Sequence, residues 1–122
     1  MLNNVTIMGR LCADPELRTT QSGIPVCSIR IATERDFLND GARQTDFLDV
    51  VAWRSTAEFI SRYFTKGRMV VVTGHLQTRA WTDRDGNKRT TVEIVADNAY
   101  FGDNKPAAES KPAERGTARR AA

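Results

Sequence analysis

The chain has 122 residues, with 27% charged and 40% hydrophobic side chains. This suits one globular domain and not comfortably two. No apolar run approaches the ~20 residues of a membrane-spanning helix, and MLNNVTIMGR lacks the basic and apolar regions of a secretory signal. The net charge is +3, but residues 1–104 hold 13 basic and 13 acidic side chains. The excess lies in 105–122, where Lys105, Lys111, Arg115, Arg119 and Arg120 outnumber Glu109 and Glu114. A neutral body excludes any argument from bulk charge that it attracts polyanions.

Asn3 to Cys12 reads as a first strand, with Val5, Ile7 and Leu11 on one face and Gly9 marking a bulge or bend. Asp14-Pro15 breaks it. Glu16 to Thr20 is a brief extension or turn, and Gln21-Ser22-Gly23 is a turn. Ile24 to Thr33 is a second strand, with Cys27, Ile29 and Ile31 opposite Ser28 and Arg30. Glu34 to Gln44 is a polar loop carrying Phe37. Thr45 to Trp53 is a third strand: Leu48, Val50 and Ala52 face one way, and Phe47, Asp49, Val51 and Trp53 the other. A charge between two aromatics argues that this second face is not a sealed core.

Ser55-Thr56-Ala57-Glu58 has the form of a capping box. It opens a helix to about Lys66, with Ala57, Phe59, Ile60, Tyr63 and Phe64 as its apolar stripe and Gly67 as its end. Arg68 to Arg79 is a fourth strand, beginning with the buried-looking run Met69 to Val72. Lys88 to about Phe101 is a fifth, with Tyr100 and Phe101 closing the end of the body. Asp83-Arg84-Asp85-Gly86-Asn87 joins the two as a hairpin turn. The hairpin arms are polar, yet carry Trp81. Arg79, Arg84, Lys88 and Arg89 around one indole point to an anionic, stackable ligand. Residues 105–122 hold no aliphatic side chain larger than Ala and read as a disordered basic tail beyond a 1–104 domain.

Cys12 and Cys27 form no Cys-x-x-Cys pair, so two reduced thiols are expected. No catalytic set, metal-ligand cluster or phosphate-cradling loop is visible around the lone His75. The chain is therefore read as a non-enzymatic protein with no cofactor and no metal.

Five strands with one helix between the third and fourth, and a long hairpin from the fourth and fifth, is the order of the mainly all-β OB-fold barrel. At this point GRLCADPELR, SGIPV, TDFLDVVAWRSTAEFISRYFTKG, VTGHLQTRAWTDRDG and TVEIVAD resemble the bacterial single-stranded DNA-binding proteins over about residues 1–102. The resemblance implies a cytoplasmic, nucleoid-associated homotetramer that coats single-stranded DNA without sequence preference in replication, recombination and repair. It places stacking aromatics at Phe37, Phe47, Trp53 and Trp81, and phosphate contacts at Arg18, Lys66, Arg79 and Arg89. Arg35 and Arg54 join these because they adjoin the aromatics. Stacking suits sequence-independent binding, since every base has a π-face. Asp49 and Gln77 stand where relatives carry basic residues, which implies weaker phosphate contact on that face. The tail lacks the family's acidic tip, so recruitment of repair enzymes is in doubt and added DNA affinity is the expectation instead. The alternative reading is an OB-fold protein-interaction adaptor of replication restart.

Overall fold

A computed structural model describes residues 1–39 and 41–103, the side chains of 37–39 excepted. The expected tail, 105–122, and the side chain of Phe37 lie outside the described residues. The elements are β1 (Val5–Leu11), β2 (Glu16–Thr19), β3 (Pro25–Asn39), β4 (Ala42–Trp53), α1 (Arg54–Tyr63), β5 (Met69–Thr82) and β6 (Lys88–Phe101). Among the described residues no helix is long and apolar enough to cross a membrane.

The five long strands follow the order β1-β5-β6-β4-β3, and β1 pairs again with β3 through Arg10↔Ala32 and Leu11↔Ile31. That second pairing closes the sheet into a barrel, with α1 between its third and fourth strands as the OB-fold requires. The brief extension at Glu16–Thr19 is a short strand on the edge of β3. Closure depends on Gly9. A Cβ there would collide with Ile31, Thr33 and the carbonyl of Ala32, so only glycine lets β1 reach β3.

Alternation sorts the side chains. Cys27, Ile29, Ile31, Val50, Ala52, Val70, Val72, Ile94 and Ala96 are buried inside the barrel, with Ala57 and Ile60 of α1 and Phe64 just beyond it closing one end. Met69 to Val72 is not uniformly buried as expected. Val70 and Val72 are enclosed, while Met69 and Val71 are half-buried on the other face, because β5 belongs to a sheet with one face outside the core. Cys12 and Cys27 are free thiols. Burial pushes the Cys27 thiol up, partly offset by Arg18, so it stays protonated.

The helix corrects the sequence reading at both ends. It begins at Arg54, directly after the extended Trp53, and no side chain caps it. Ser55 thus sits inside the first turn instead of at the cap, and the capping box does not form. Thr56 Oγ1 donates to the Asp97 carbonyl at 3.3 Å instead. Arg54 has φ 58°, a left-handed value that costs a non-glycine residue about 1–2 kcal/mol. It makes a one-residue turn from strand to helix. The helix ends at Tyr63, because Phe64 turns inward to stack on Phe101 at 4.8 Å. Gly67 belongs to the following turn, where its amide donates to the Leu11 carbonyl. Phe59 joins this aromatic cluster, and Tyr63 reaches it while remaining exposed. Buried Arg68 pairs with Asp103 at 3.1 Å and lies over Phe101, fixing the end of β6 against the start of β5.

The polar loop expected over Glu34 to Gln44 is also revised. Here β3 runs on to Asn39 and β4 starts at Ala42, the two strands pairing as far as Asn39↔Ala42 with a register irregularity between Glu34 and Leu38. Polarity there marks strands that have left the core. The sequence criterion, which sought apolar alternation, had no signal to follow.

Candidate nucleic-acid interface

The outer face of the β3-β4-β6-β5 sheet is built by the residues that alternate with the core. On β4 these are Phe47, Asp49, Val51 and Trp53, opposite Val50 and Ala52. Phe47 is 56% exposed and Trp53 42% exposed, unusual for large aromatics with no partner surface. The third-strand reading, with two aromatics bracketing a carboxylate on an open face, matches this arrangement.

The β5–β6 hairpin extends the face. A register shift between Thr73 and Gly74 marks where β5 leaves the barrel. A Cβ on Gly74 would run into the Val95 carbonyl, so the two strands approach there as only glycine allows. Beyond this bulge, residues 76–90 are all exposed except Asp83. Gln77, Arg79 and Trp81 pair with Glu93, Thr91 and Arg89, which puts these six side chains on one side. Trp81 is 42% exposed, and its indole Nε1 donates to Thr91 Oγ1 at 2.7 Å.

The turn at the tip is organised by one carboxylate. Asp83 Oδ1 accepts from the amides of Asp85 and Asn87, and Oδ2 accepts from Arg89 Nε at 2.8 Å. Gly86 provides the left-handed residue, φ 84°. The Arg89 guanidinium, then the Asn87 amide, hold the Asp83 carboxyl below its ordinary value.

The cations are less free than the sequence suggests. Arg79 pairs with Glu93 at 3.2 Å, Arg89 with Asp83 at 2.8 Å, and Arg35 with Asp46 at 2.9 Å. The Arg35 hydrogen bond holds the Asp46 carboxyl below its ordinary value. Arg18 donates to Ser28 Oγ at 3.2 Å. Arg54 and Lys66 have no carboxylate partner among the described residues, although the Lys66 amide is bound by Asp14. Sequence reasoning passed over Arg30. It projects from β3 onto the same outer face, 3.9 Å from Asp49 and over the Phe47 ring at 5.7 Å. Its position opposite Cys27, Ile29 and Ile31 in the alternation was the available signal.

Between β3/β4 and the hairpin lies a shallow groove of about 430 Å³, whose lining includes Ser28, Arg30, Asp49, Arg79, Thr91 and Glu93. The face therefore offers exposed rings and a groove of mixed charge. It contains no cluster of side chains able to hold a metal among the described residues. Such a surface can stack planar groups and exchange ion pairs with anions.

The Single-strand binding protein family matches residues 2–102 of the chain. A single-stranded DNA-binding protein of Caldanaerobacter subterraneus subsp. tengcongensis is 43% identical over 102 residues, covering 83% of this chain and 68% of that protein. Single-stranded DNA-binding protein 1 of Staphylococcus aureus is 42% identical over 83% of this chain and 65% of its own length. A single-stranded DNA-binding protein of Oceanobacillus iheyensis is 43% identical over 86% of this chain and 66% of its own length. The chain thus spans about two thirds of the length of these relatives. With the family match covering the whole barrel and the hairpin, the chain belongs to the single-strand binding protein family.

Proposed function

We propose that the chain binds and coats single-stranded DNA without sequence preference, as a non-enzymatic protein of replication, recombination and repair acting in the cytoplasm at the nucleoid. The observation that carries this reading is the exposure of Phe47, Trp53 and Trp81 on one continuous outer face. A single strand can splay its bases onto these rings, each stacked base contributing about 1–3 kcal/mol. Phe37, one strand away on β3, would lengthen the path. Arg18, Arg35, Arg54, Lys66, Arg79 and Arg89 would take phosphates, three of them by exchanging a carboxylate for a phosphate oxygen. The binding domain is 1–104, and the basic segment 105–122 adds phosphate contacts. Assembly is as a homotetramer, which would bring several such faces to one strand.

Titration of tryptophan fluorescence with oligo-dT tests the reading. Strong quenching at low salt is the expected result, since Trp53 and Trp81 would both stack. No quenching at low salt would sink it and favour a protein-docking adaptor. The same titration with oligo-U separates DNA from RNA, because stacking alone does not distinguish them.

A further inference from the structure

The groove in the middle of the aromatic face holds more negative than positive groups. Among the described residues, Asp14, Glu16, Asp49 and Glu93 line it together with two cations, Arg30 and Arg79. Both cations are already engaged. Arg30 lies 3.9 Å from Asp49, and Arg79 Nε and Nη2 reach Glu93 Oε2 at 3.3 and 3.2 Å. The parallel β4–β6 ladder starts at Val50↔Ile94, so Asp49 and Glu93 are the residues just before it, where the two strands border the groove. Both carboxylates line the groove, Glu93 hydrogen-bonded to Arg79 and Asp49 in a looser ion-pair contact with Arg30.

We propose that Asp49 and Glu93 are specificity-determining residues that make this face discriminate against duplex nucleic acid. A duplex hides its bases and presents closely spaced phosphates, so its attraction to a protein face is largely electrostatic. Phosphates brought over this groove meet carboxylates and arginines that are already neutralised. A single strand gains stacking on Phe47, Trp53 and Trp81, and its flexible backbone can carry phosphates to the rim. The carboxylates therefore subtract most from ligands that have only phosphate to offer. Arginines held in pairs also remain correctly placed beside the rings, with Arg30 lying over Phe47 at 5.7 Å.

This inference rests on the single-strand reading, and the test separates the two. The full chain, wild type and Asp49→Asn/Glu93→Gln, is titrated with oligo-dT and with a blunt duplex of mixed sequence at several salt concentrations. A control, compared with Asp49→Asn alone, removes one charge outside the groove, as Glu58→Gln on the exposed side of α1. In the groove variant, duplex affinity is expected to rise about tenfold at low salt, the order that unmasking two cations near a surface produces. Oligo-dT affinity should rise less than threefold, with a salt slope steeper by about 0.7 for each phosphate newly contacted. The duplex-to-single-strand ratio should not move in the control. An unchanged ratio in the groove variant, or an equal change in the control, overturns the proposal while leaving wild-type binding of oligo-dT intact. Failure of the wild type to bind oligo-dT overturns the functional reading instead. Should the double variant not fold, Asp49→Asn alone reads the same ratio, since that side chain is 55% exposed.

Discussion

The indole of Trp81 is held to Thr91 by a 2.7 Å hydrogen bond from Nε1 to Oγ1, between residues diagonal to each other across the β5–β6 ladder. Diagonal neighbours lie within reach of long aromatic side chains. The bond satisfies the only polar atom of the ring and fixes the plane that a base would meet. Thr91→Val keeps the shape and removes the acceptor. A neutral hydrogen bond contributes about 0.5–1.5 kcal/mol, so oligo-dT affinity is expected to fall by that order. Wild-type-like melting, greater tryptophan anisotropy decay and rescue by Thr91→Ser should accompany the loss. If Thr91→Val binds as wild type does, the bond does not orient the ring for binding.

Removal of the ring itself separates binding from folding. Trp81 lies beyond the Gly74 bulge, on arms whose side chains are exposed. Trp81→Ala is expected to lose about 1–3 kcal/mol of binding per stacked base, with little change in melting temperature. Phe64→Ala is the opposite case. Phe64 is fully buried and stacks on Phe101, and its loss should cost about 3–5 kcal/mol of stability. A large drop in melting temperature for Trp81→Ala would make that ring part of the core.

How much of this was legible in the sequence depended on how directly each feature reports on burial. The alternation of Cys27, Ile29 and Ile31, and of Val50 and Ala52, gave the barrel interior, because a strand with one buried face repeats every two residues. The same alternation left Phe47 and Trp53 outside, and Asp-Gly marked the hairpin turn. The β3–β4 extension was missed because strands paired in solvent carry no apolar pattern. The capping box failed because a local motif cannot report that the chain must turn at Arg54 to place Ala57 and Ile60 over the barrel. The pairing of Arg35, Arg79 and Arg89 was hidden for a similar reason. Their partners lie across strand registers or the turn, at separations that sequence inspection does not rank.

The hairpin tip is expected to loosen in acid. Asp83 is bonded by Arg89, Asn87 and Asp85, and its carboxyl is held below the ordinary value. A carboxylate whose folded value is depressed contributes stability that is fully present above its unfolded value of about 3.9. The contribution is lost as pH falls through the folded value. Emission of Trp81 in a Trp53→Phe background, followed between pH 5 and pH 2, should therefore show a step below about pH 4 that Asp83→Asn removes. Identical profiles in the two proteins would mean that the turn is held by its backbone alone. Asp46 titrates in the same direction through Arg35, but it sits on β4, away from the reporting indole.

Gly74 marks the boundary between barrel and arm, and the space around it is closed by backbone. A Cβ there meets the carbonyl group of Val95, which cannot rotate away as a side chain can. Relief would require β5 and β6 to separate where the register shifts between Thr73 and Gly74, at the level where Ile94 and Ala96 are buried in the core. Gly74→Ala should therefore destabilise the whole barrel, by at least the ~1–3 kcal/mol typical of overpacking. For a domain of this size that corresponds to a melting temperature lower by roughly 4–8 °C per kcal/mol. Ala80→Gly, on the exposed arm beyond the bulge, is the control and should change the melting temperature far less. Equal effects of the two substitutions would show that the arm and the barrel unfold as one unit, with the bulge providing no boundary between them.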